Sequence, residues 1–481
     1  MESVIAPIFK KGQRNLAENY RPVSLTSILC KMLESLIREA LMSHLIANKL
    51  LTKRQFGFLK GRSTTLQLLT FLDHAALGLQ EGGKVDTVYL DYQKAFDTVP
   101  HKRLIKKLEA YGITGNLLKW ISCFLMGRSQ KVRVNGDLST PQLVISGVPQ
   151  GSVLGPLLFV LYINDIVDDI QFCELFLFAD DSKLCKLIQS REDQEKLQKD
   201  LQTLEDWSRK WLLRFHPGKC HVLSLGDSNT PLPDRCHAAV YELEGHKLET
   251  VFEERDLGVI VDNELTFAQH IEMKINSANA TLGLIRRTFT FLDLQTLLAL
   301  YKAFVRPQLE YAQAVWYPHR SGLVTKIENV QMRALNFVPE LKGLTYEEQL
   351  KCANLPTLAY RRLRGDMIET FKHLPDANCY DIDVISSSFK LSDRTSRLGH
   401  GFQLMQRPLK KQTPLMDKLF YGRISQVWNN LPSEVFHKTD SLNSFKNSID
   451  SHWNNLPLKF DFRANIPTRT NELEAPWNSI S

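Results

Sequence analysis

One stretch constrains this chain more than any other: an apolar, β-favouring run that stops at two adjacent carboxylates and then resumes, Leu175-Phe176-Leu177-Phe178-Ala179-Asp180-Asp181-Ser182-Lys183-Leu184. Apolar runs on either side of a short polar tip read as two strands joined by a tight turn, with Asp180 and Asp181 at the tip. Neighbouring strand side chains point to opposite faces and like charges repel, so the pair gains nothing from packing together. A bound divalent cation would remove the conflict; a plain surface turn, which favours Asp, is the alternative. A second strand, Val85 to Leu90, runs straight into another carboxylate in Asp91-Tyr92-Gln93-Lys94-Ala95-Phe96-Asp97.

The remaining elements place other polar groups. Residues 4–9 and 21–28 are β-leaning runs around Lys10-Lys11-Gly12-Gln13-Arg14-Asn15, a hairpin with a cationic tip, so Lys10, Lys11, Arg14 and Arg21 can converge on phosphate. An amphipathic helix is expected over 31–51. The loop Gln55 to Ser63 carries two glycines and two cations, and the helix it opens, to about Leu79, offers an anion site at its first amides with Arg62. Helices follow over 100–111 and 114–126, then a hairpin of 130–134 with 142–145 about Asn135-Gly136. Gly147 to Pro156 is a glycine- and proline-punctuated loop opening an apolar helix; its glycines would let backbone approach a ligand, and the Gln150 amide can donate and accept. A charged amphipathic helix over 190–213 returns through His216-Pro217-Gly218-Lys219-Cys220 to a strand, 221–225. Residues 226–236 have linker composition. A hairpin is expected over 240–261, with Leu257-Gly258 inside it. Long helices follow over 267–290, 293–316, 322–337 and 345–375, then a loop-like 380–415, shorter helix over 417–452, and a poorly structured end.

With 481 residues the chain has room for two to four domains. Its 60 Lys and Arg against 53 Asp and Glu, a formal charge of +7, tilt it toward an anionic partner. Eight cysteines without a C-x-x-C spacing point to neither a zinc knuckle nor a disulfide framework and fit a reducing intracellular compartment. No apolar run approaches the roughly 20 residues of a bilayer span, so a soluble protein without a membrane partner is expected.

Taken in order, YLDYQKAFD, GVPQGSVLGP, FADD, HPGKC and RDLGV resemble the palm motif series of reverse transcriptases, in the version of non-LTR (LINE-type, jockey-like) retrotransposons. NYRPVSL and QFGFLKGRST resemble the fingers motifs of the same family. The likeness covers residues 4 to about 265, and the helical segment beyond resembles the region C-terminal to the polymerase domain in such elements.

The resemblance implies an α+β right-hand polymerase: fingers over 1–83, a palm with a small antiparallel sheet over 84–265 and a fingers insertion near 113–145, a helical thumb and connection over 266–375, and a helical, partly disordered region over 376–481. It implies RNA-templated DNA synthesis from dNTPs, with an RNA template and a DNA primer or nicked target DNA as partners, in nucleus and cytoplasm; oligomeric state stays open. Asp91 and Asp180 would bridge two Mg²⁺ ions, Mn²⁺ being a substitute, with Asp181 a third carboxylate and the Tyr92 carbonyl completing one coordination sphere. Phe96 would lie beneath the sugar, Asp97 would have a structural role, and Gln150 and Gly151 would border nucleotide and template base. Lys10 or Lys11, with Arg21, would hold the triphosphate; Lys219 would protonate departing pyrophosphate; Arg62 would touch template or primer backbone; Leu257 and Gly258 would position the primer. Neither an endonuclease nor an RNase H constellation is found, and the chain resembles an element protein truncated at its N-terminus. The alternative is a catalytically inactive, truncated relic that only binds nucleic acid.

Overall fold

In the computed structural model, which describes residues 2–226, 240–289, 291–392, 400–405, 414–437 and 441–465, the two carboxylate-bearing strands lie side by side. Strand β3 (Lys84–Leu90) pairs antiparallel with β8 (Asp181–Ile188), Leu90 opposite Ser182, and β8 pairs antiparallel with β7 (Glu174–Phe178), Phe178 opposite Asp181. The sheet is completed by β9 (His221–Leu225) and β12 (Glu249–Val251), in the order β12-β9-β3-β8-β7. Because β12 runs parallel to β9, the sheet is mixed rather than the purely antiparallel one expected. A small hairpin, β10 (Glu242–Leu243) with β11 (His246–Lys247), precedes β12.

A second sheet contains the cationic hairpin, β1 (Glu2–Phe9) with β2 (Tyr20–Leu25), as the alternation and polar tip predict. Strand β4 (Ser129–Val134) pairs parallel with β1, and antiparallel with both β5 (Asp137–Leu138) and β6 (Gln142–Leu143). Asn135 and Gly136, with φ of 52° and 98°, turn β4 into β5, as that dipeptide favours in two-residue hairpins.

Both sheets belong to one of two compact units, Met1–Ser63, Gly83–Ser224 and Ser228–Val251. Its core is the helix Gly155–Ile163, apolar all round and therefore central, against which β3, β7 and β8 pack Val88, Leu90, Leu175, Leu177 and Leu184. The helix Arg191–Trp211 lays Leu197, Leu201, Leu204 and Trp207 on that core. A Ser190/Asp193 capping box starts it, and Leu212, at φ 58°, ends it.

Lys107, only 4% exposed, has its ammonium over the rings of Tyr162, Trp207 and Trp211 and donates to the Tyr162 carbonyl and Asp165. Burial pushes its pKa down to about 8, against the pull of Asp165. The unfolded chain keeps that proton up to about pH 10.4, so stability should rise as pH climbs through the interval, by about 3 kcal/mol in all. Urea unfolding of the protein and of Lys107→Met at pH 7.5 and 9.5 checks this. The stability difference, parent minus variant, should grow with pH; a constant difference refutes it.

The second unit comprises Thr64–Gly82, Leu225–Asp227 and Phe252–Ser481. The helix Thr64–Gln80, read in sequence with the fingers, belongs here, Asp73 accepting from Ser386 and Thr70 donating to the Val384 carbonyl. Strands β13 (Glu253–Asp256) and β14 (Val259–Asp262) form a hairpin about Leu257-Gly258, both at positive φ. The helix Ala268–Thr288 follows. The helix expected over 293–316 is instead Leu294–Leu300, a π turn Tyr301–Val305 and Arg306–Glu310. Pro307 lacks the N–H that would continue the ladder. The one expected over 345–375 is split into Tyr346–Ala353 and Leu358–Lys372 by Asn354, at φ 48°, and Pro356. Among the described residues no helix is long and apolar enough to cross a membrane. Most of the 226–236 linker, part of 380–415 and the last sixteen residues lie outside the described residues.

Candidate active site

Asp180 owes its position to a strained turn. Ala179, at φ 55° without being glycine, makes the reversal between β7 and β8, a conformation that costs on the order of 1 kcal/mol and needs holding. The brace is Gln55, fully buried, whose Oε1 accepts from the Ala179 N–H at 2.8 Å and the Gly57 N–H at 2.7 Å. The segment around it pairs with β7: Phe56 N–H donates to the Leu177 carbonyl and Leu177 N–H to that of Arg54.

Asp91 is fixed through its backbone. Its carbonyl accepts from His216 N–H at 2.8 Å and its N–H points at the Cys220 sulfur, while Gln93 N–H donates to the Arg214 carbonyl. The same return loop brings Lys219 Nζ to 3.1 Å from Asp91 Oδ2. With side chains 56% and 41% exposed, the pair contributes at most about 1 kcal/mol of stability and is readily exchanged.

Asp180 feels the charge of Asp91. Burial pushes the Asp180 carboxyl above its ordinary range, and Asp91 raises it further, against Arg21 and Lys10. Asp181 is exposed at the start of β8. Among the described residues no group of three or more His, Cys, Asp or Glu is gathered closely enough to hold a metal ion, so the expected three-carboxylate cluster is here a pair. That pair still suits a hard cation: two carboxylates in mutual repulsion, one of them already drawing an ammonium to its oxygen.

Beside Asp180 opens a cavity of about 830 Å³, lined by Lys10, Arg21, Phe96, Asp97, Gln150 and Asp180 among others. Lys11 is not among its walls, which separates the two adjacent lysines. Arg14 and Lys94 add two further cations. Lys94 was not singled out in the sequence: only its left-handed φ of 48°, opening the turn Ala95–Thr98, sets it here. Phe96 is half-buried, stacked on Phe159 with centroids 4.3 Å apart and edge-on to Phe58. Tyr92 is buried, its ring stacked on Phe215.

The glycine-punctuated loop is bound to protein rather than left open to a ligand. Gly147 N–H donates to the Val99 carbonyl, Val148 N–H to that of Phe96, and Ser24 N–H to that of Gln150. A Cβ on Gly151, whose φ is 96°, would meet the Ser24 carbonyl oxygen at 2.7 Å, and one on Gly147 would meet that of Asp97. The close approach that the glycines permit is therefore made by β2 and the Phe96–Val99 turn. Gln150 Nε2 donates to Asp97 Oδ1 at 2.8 Å. Glu34, which reads in sequence as the polar face of a helix, is fully buried and caps the loop's far end, accepting from Val153 and Leu154 N–H groups. Arg62 donates to the Thr52 and Gln55 carbonyls and so fastens the loop behind the carboxylate hairpin, a use that competes with phosphate contact. Leu257 and Gly258 lie in the second unit, where Tyr311 Oη donates to the Leu257 carbonyl at 2.7 Å.

A strand-borne carboxylate facing a carboxylate-tipped hairpin, beside a cation-lined cavity, is the arrangement of a nucleotidyl-transferring polymerase, and comparison with known proteins identifies which kind. The model of the family described as reverse transcriptase (RNA-dependent DNA polymerase) matches residues 8–273, more than half the chain, and the chain belongs to that family. Within it, the chain is similar to the probable RNA-directed DNA polymerase from transposon BS of Drosophila melanogaster, 29% identical over 377 residues, covering 72% of this chain and 40% of the relative. It is also similar to the RNA-directed DNA polymerase from mobile element jockey of Drosophila funebris, 30% identical over 364 residues, 72% and 38%. The chain thus spans about two fifths of the length of these relatives. Both are mobile-element polymerases of the kind its motifs resemble. A solved telomerase from Candida tropicalis is similar at a TM-score of 0.40 and 9% identity, covering 73% of this chain and 64% of that one, too remote to bear on the site.

Proposed function

We propose that this chain is an RNA-directed DNA polymerase of a non-LTR retrotransposon, joining dNTPs to a primer 3′-hydroxyl on an RNA template. The observation that carries the reading is the register of β3 on β8, Leu90 opposite Ser182, which brings Asp91 to the hairpin tip where Asp180 borders a cavity walled by Lys10 and Arg21. Asp91 and Asp180, with Asp181 as an outer carboxylate and the Tyr92 carbonyl, would hold two Mg²⁺ ions. Such ions, when bound, make the 3′-hydroxyl a better nucleophile and stabilise charge on the attacking and leaving oxygens. Lys10 and Arg21 bind the triphosphate, Arg21 through its planar fork. Phe96, held on Phe159, excludes a 2′-hydroxyl, and Gln150 and Gly151 border the nucleotide. Lys219, whose Nζ donates to Asp91 Oδ2, gives a proton to the departing pyrophosphate.

Primer extension on an annealed RNA template and DNA primer, with Mg²⁺ and dNTPs, tests the reading. The protein should extend the primer, and Phe96→Val should raise use of rNTPs relative to dNTPs by about tenfold. Binding of the duplex with no extension would replace this reading by that of a non-catalytic relic, whose affinity falls steeply with salt and ignores the aspartates. An unchanged rNTP to dNTP ratio would remove Phe96 from sugar selection.

A further inference from the structure

We infer that Asp97 is a positioning residue for nucleotide selection: its carboxylate fixes which end of the Gln150 amide faces the ligand, so that the cavity is offered a carbonyl oxygen and not an NH₂ group. The inference rests on the polymerase reading above and deepens it.

A primary amide carries a donor and an acceptor on the two sides of one plane, and rotation by half a turn about its last bond exchanges them. What settles the orientation is the partner. Gln150 Nε2 lies 2.8 Å from Asp97 Oδ1, and an ionised carboxylate can only accept, so nitrogen must face Asp97 and oxygen must face away. Asp97 and Gln150 both line the 830 Å³ cavity, and no hydrogen bond within the described residues uses Gln150 Oε1. The amide oxygen is therefore the group left for a ligand.

Asp97 is itself rigidly placed. Its carbonyl accepts from the Ser146 hydroxyl, its N–H donates to the Lys94 carbonyl, and Gly147 packs against its backbone so closely that a Cβ would stand 2.8 Å from the Asp97 Cα. The backbone of Gln150 is tied to β2 through Ser24. With both backbones anchored, the amide flip remains open, and the charge at position 97 decides it. Burial raises the Asp97 pKa, while Gln150, Lys94, Lys10 and Arg21 oppose that rise and favour the ionised form. The ligand group recognised is a hydrogen-bond donor on the nucleotide, a sugar hydroxyl or an exocyclic amine.

A charge-conserving exchange tests this. In Asp97→Asn the uncharged amide can either accept from Gln150 Nε2 or donate to Gln150 Oε1, so the orientation is no longer imposed, and the flipped form sets donor against donor. Its kcat/KM for dCTP should fall about fivefold to tenfold. In Gln150→Glu alone, two carboxylates confront each other and activity should fall similarly. In the double variant Asp97→Asn, Gln150→Glu, the introduced asparagine donates to one oxygen of the introduced glutamate and the other oxygen is presented as an acceptor, with the net charge of the parent. The double variant should regain at least half of the lost logarithm of kcat/KM, a recovery that mere structural damage would not show. With ddCTP in place of dCTP, a penalty that vanishes assigns the donor to the sugar 3′-hydroxyl, and one that persists assigns it to the base; either supports the inference. An active parent with Asp97→Asn within threefold of it, or a double variant no better than its singles, overturns the inference and leaves the polymerase reading standing. An inactive parent overturns both.

Discussion

Asp180→Asn will lower the single-turnover rate of primer extension by about a thousandfold or more, about 4 kcal/mol of transition-state stabilisation, while leaving affinity for the RNA–DNA duplex within about threefold. The substitution keeps shape and removes charge, so the hairpin that Gln55 braces should fold unchanged. What disappears is half of the carboxylate pair. Asp180 is the more buried of the two, and its charge is held there against desolvation by Arg21 and Lys10. Neutralising it leaves Asp97 as the remaining carboxylate acting on these two cations, so dNTP binding should tighten slightly even as chemistry stops. Asp91→Asn should be comparably damaging and additionally frees Lys219 from its ion pair. Lys219→Leu should cost far less than either, because a proton donor typically contributes about a hundredfold to ten-thousandfold while water can substitute in part. Rapid-quench kinetics with saturating dNTP, alongside duplex binding by anisotropy, separates these terms. An Asp180→Asn enzyme retaining a tenth of the parental rate would remove Asp180 from the chemistry.

The parts of this site legible in the sequence are those with local signatures. The turn after Phe178, the Asn135-Gly136 reversal and the cationic hairpin each declare themselves within a short stretch of chain, and the structure contains all three. Partners distant in sequence leave no such mark. The parallel pairing of β1 with β4 joins strands far apart in the chain, and Gln55 meets Ala179 across a similar gap. Periodicity also misleads where a polar side chain serves a backbone. In the helix Ile28–Ala47 the buried side chains include Glu34, capping Val153 and Leu154, while Ile28, Leu29 and Leu36 are exposed. The long helical patterns near 301 and 354 run across breaks set by single residues, Pro307 after the π turn Tyr301–Val305 and Asn354 with Pro356 at the other, because the apolar spacing continues on both sides of them. Lys94 illustrates the same limit within a recognised motif: spacing locates it, but only backbone conformation turns it to the cavity.

Gly57→Ala should slow primer extension about a hundredfold by a different route, through the geometry of the hairpin rather than its charge. A Cβ at position 57 would stand 2.5 Å from the Ala179 nitrogen, 3.0 Å from the Phe178 carbonyl carbon and 3.0 Å from Gln55 Oε1. The first two are backbone atoms of the turn that carries Asp180, so nothing flexible can yield; either the hairpin moves or the 54–57 segment unzips from β7. Forced overpacking of this kind costs about 1–3 kcal/mol. The cost in rate should be larger than the cost in stability implies, since a displacement near 1 Å at reacting groups can lower a rate about a hundredfold. Gln55→Leu removes the acceptor shared by Gly57 and Ala179 without adding bulk, leaving two buried N–H groups unpaired and the left-handed Ala179 unsupported, and should show the same disproportion. Gly322→Ala, where a Cβ meets nothing within 4 Å, is the control and should leave both quantities near parental. Thermal melts with single-turnover extension on the same preparations decide the matter: Gly57→Ala should melt a few degrees lower and extend primers about a hundredfold more slowly, whereas a parental rate would mean that the position of Asp180 does not depend on the close approach of Gly57 to Ala179.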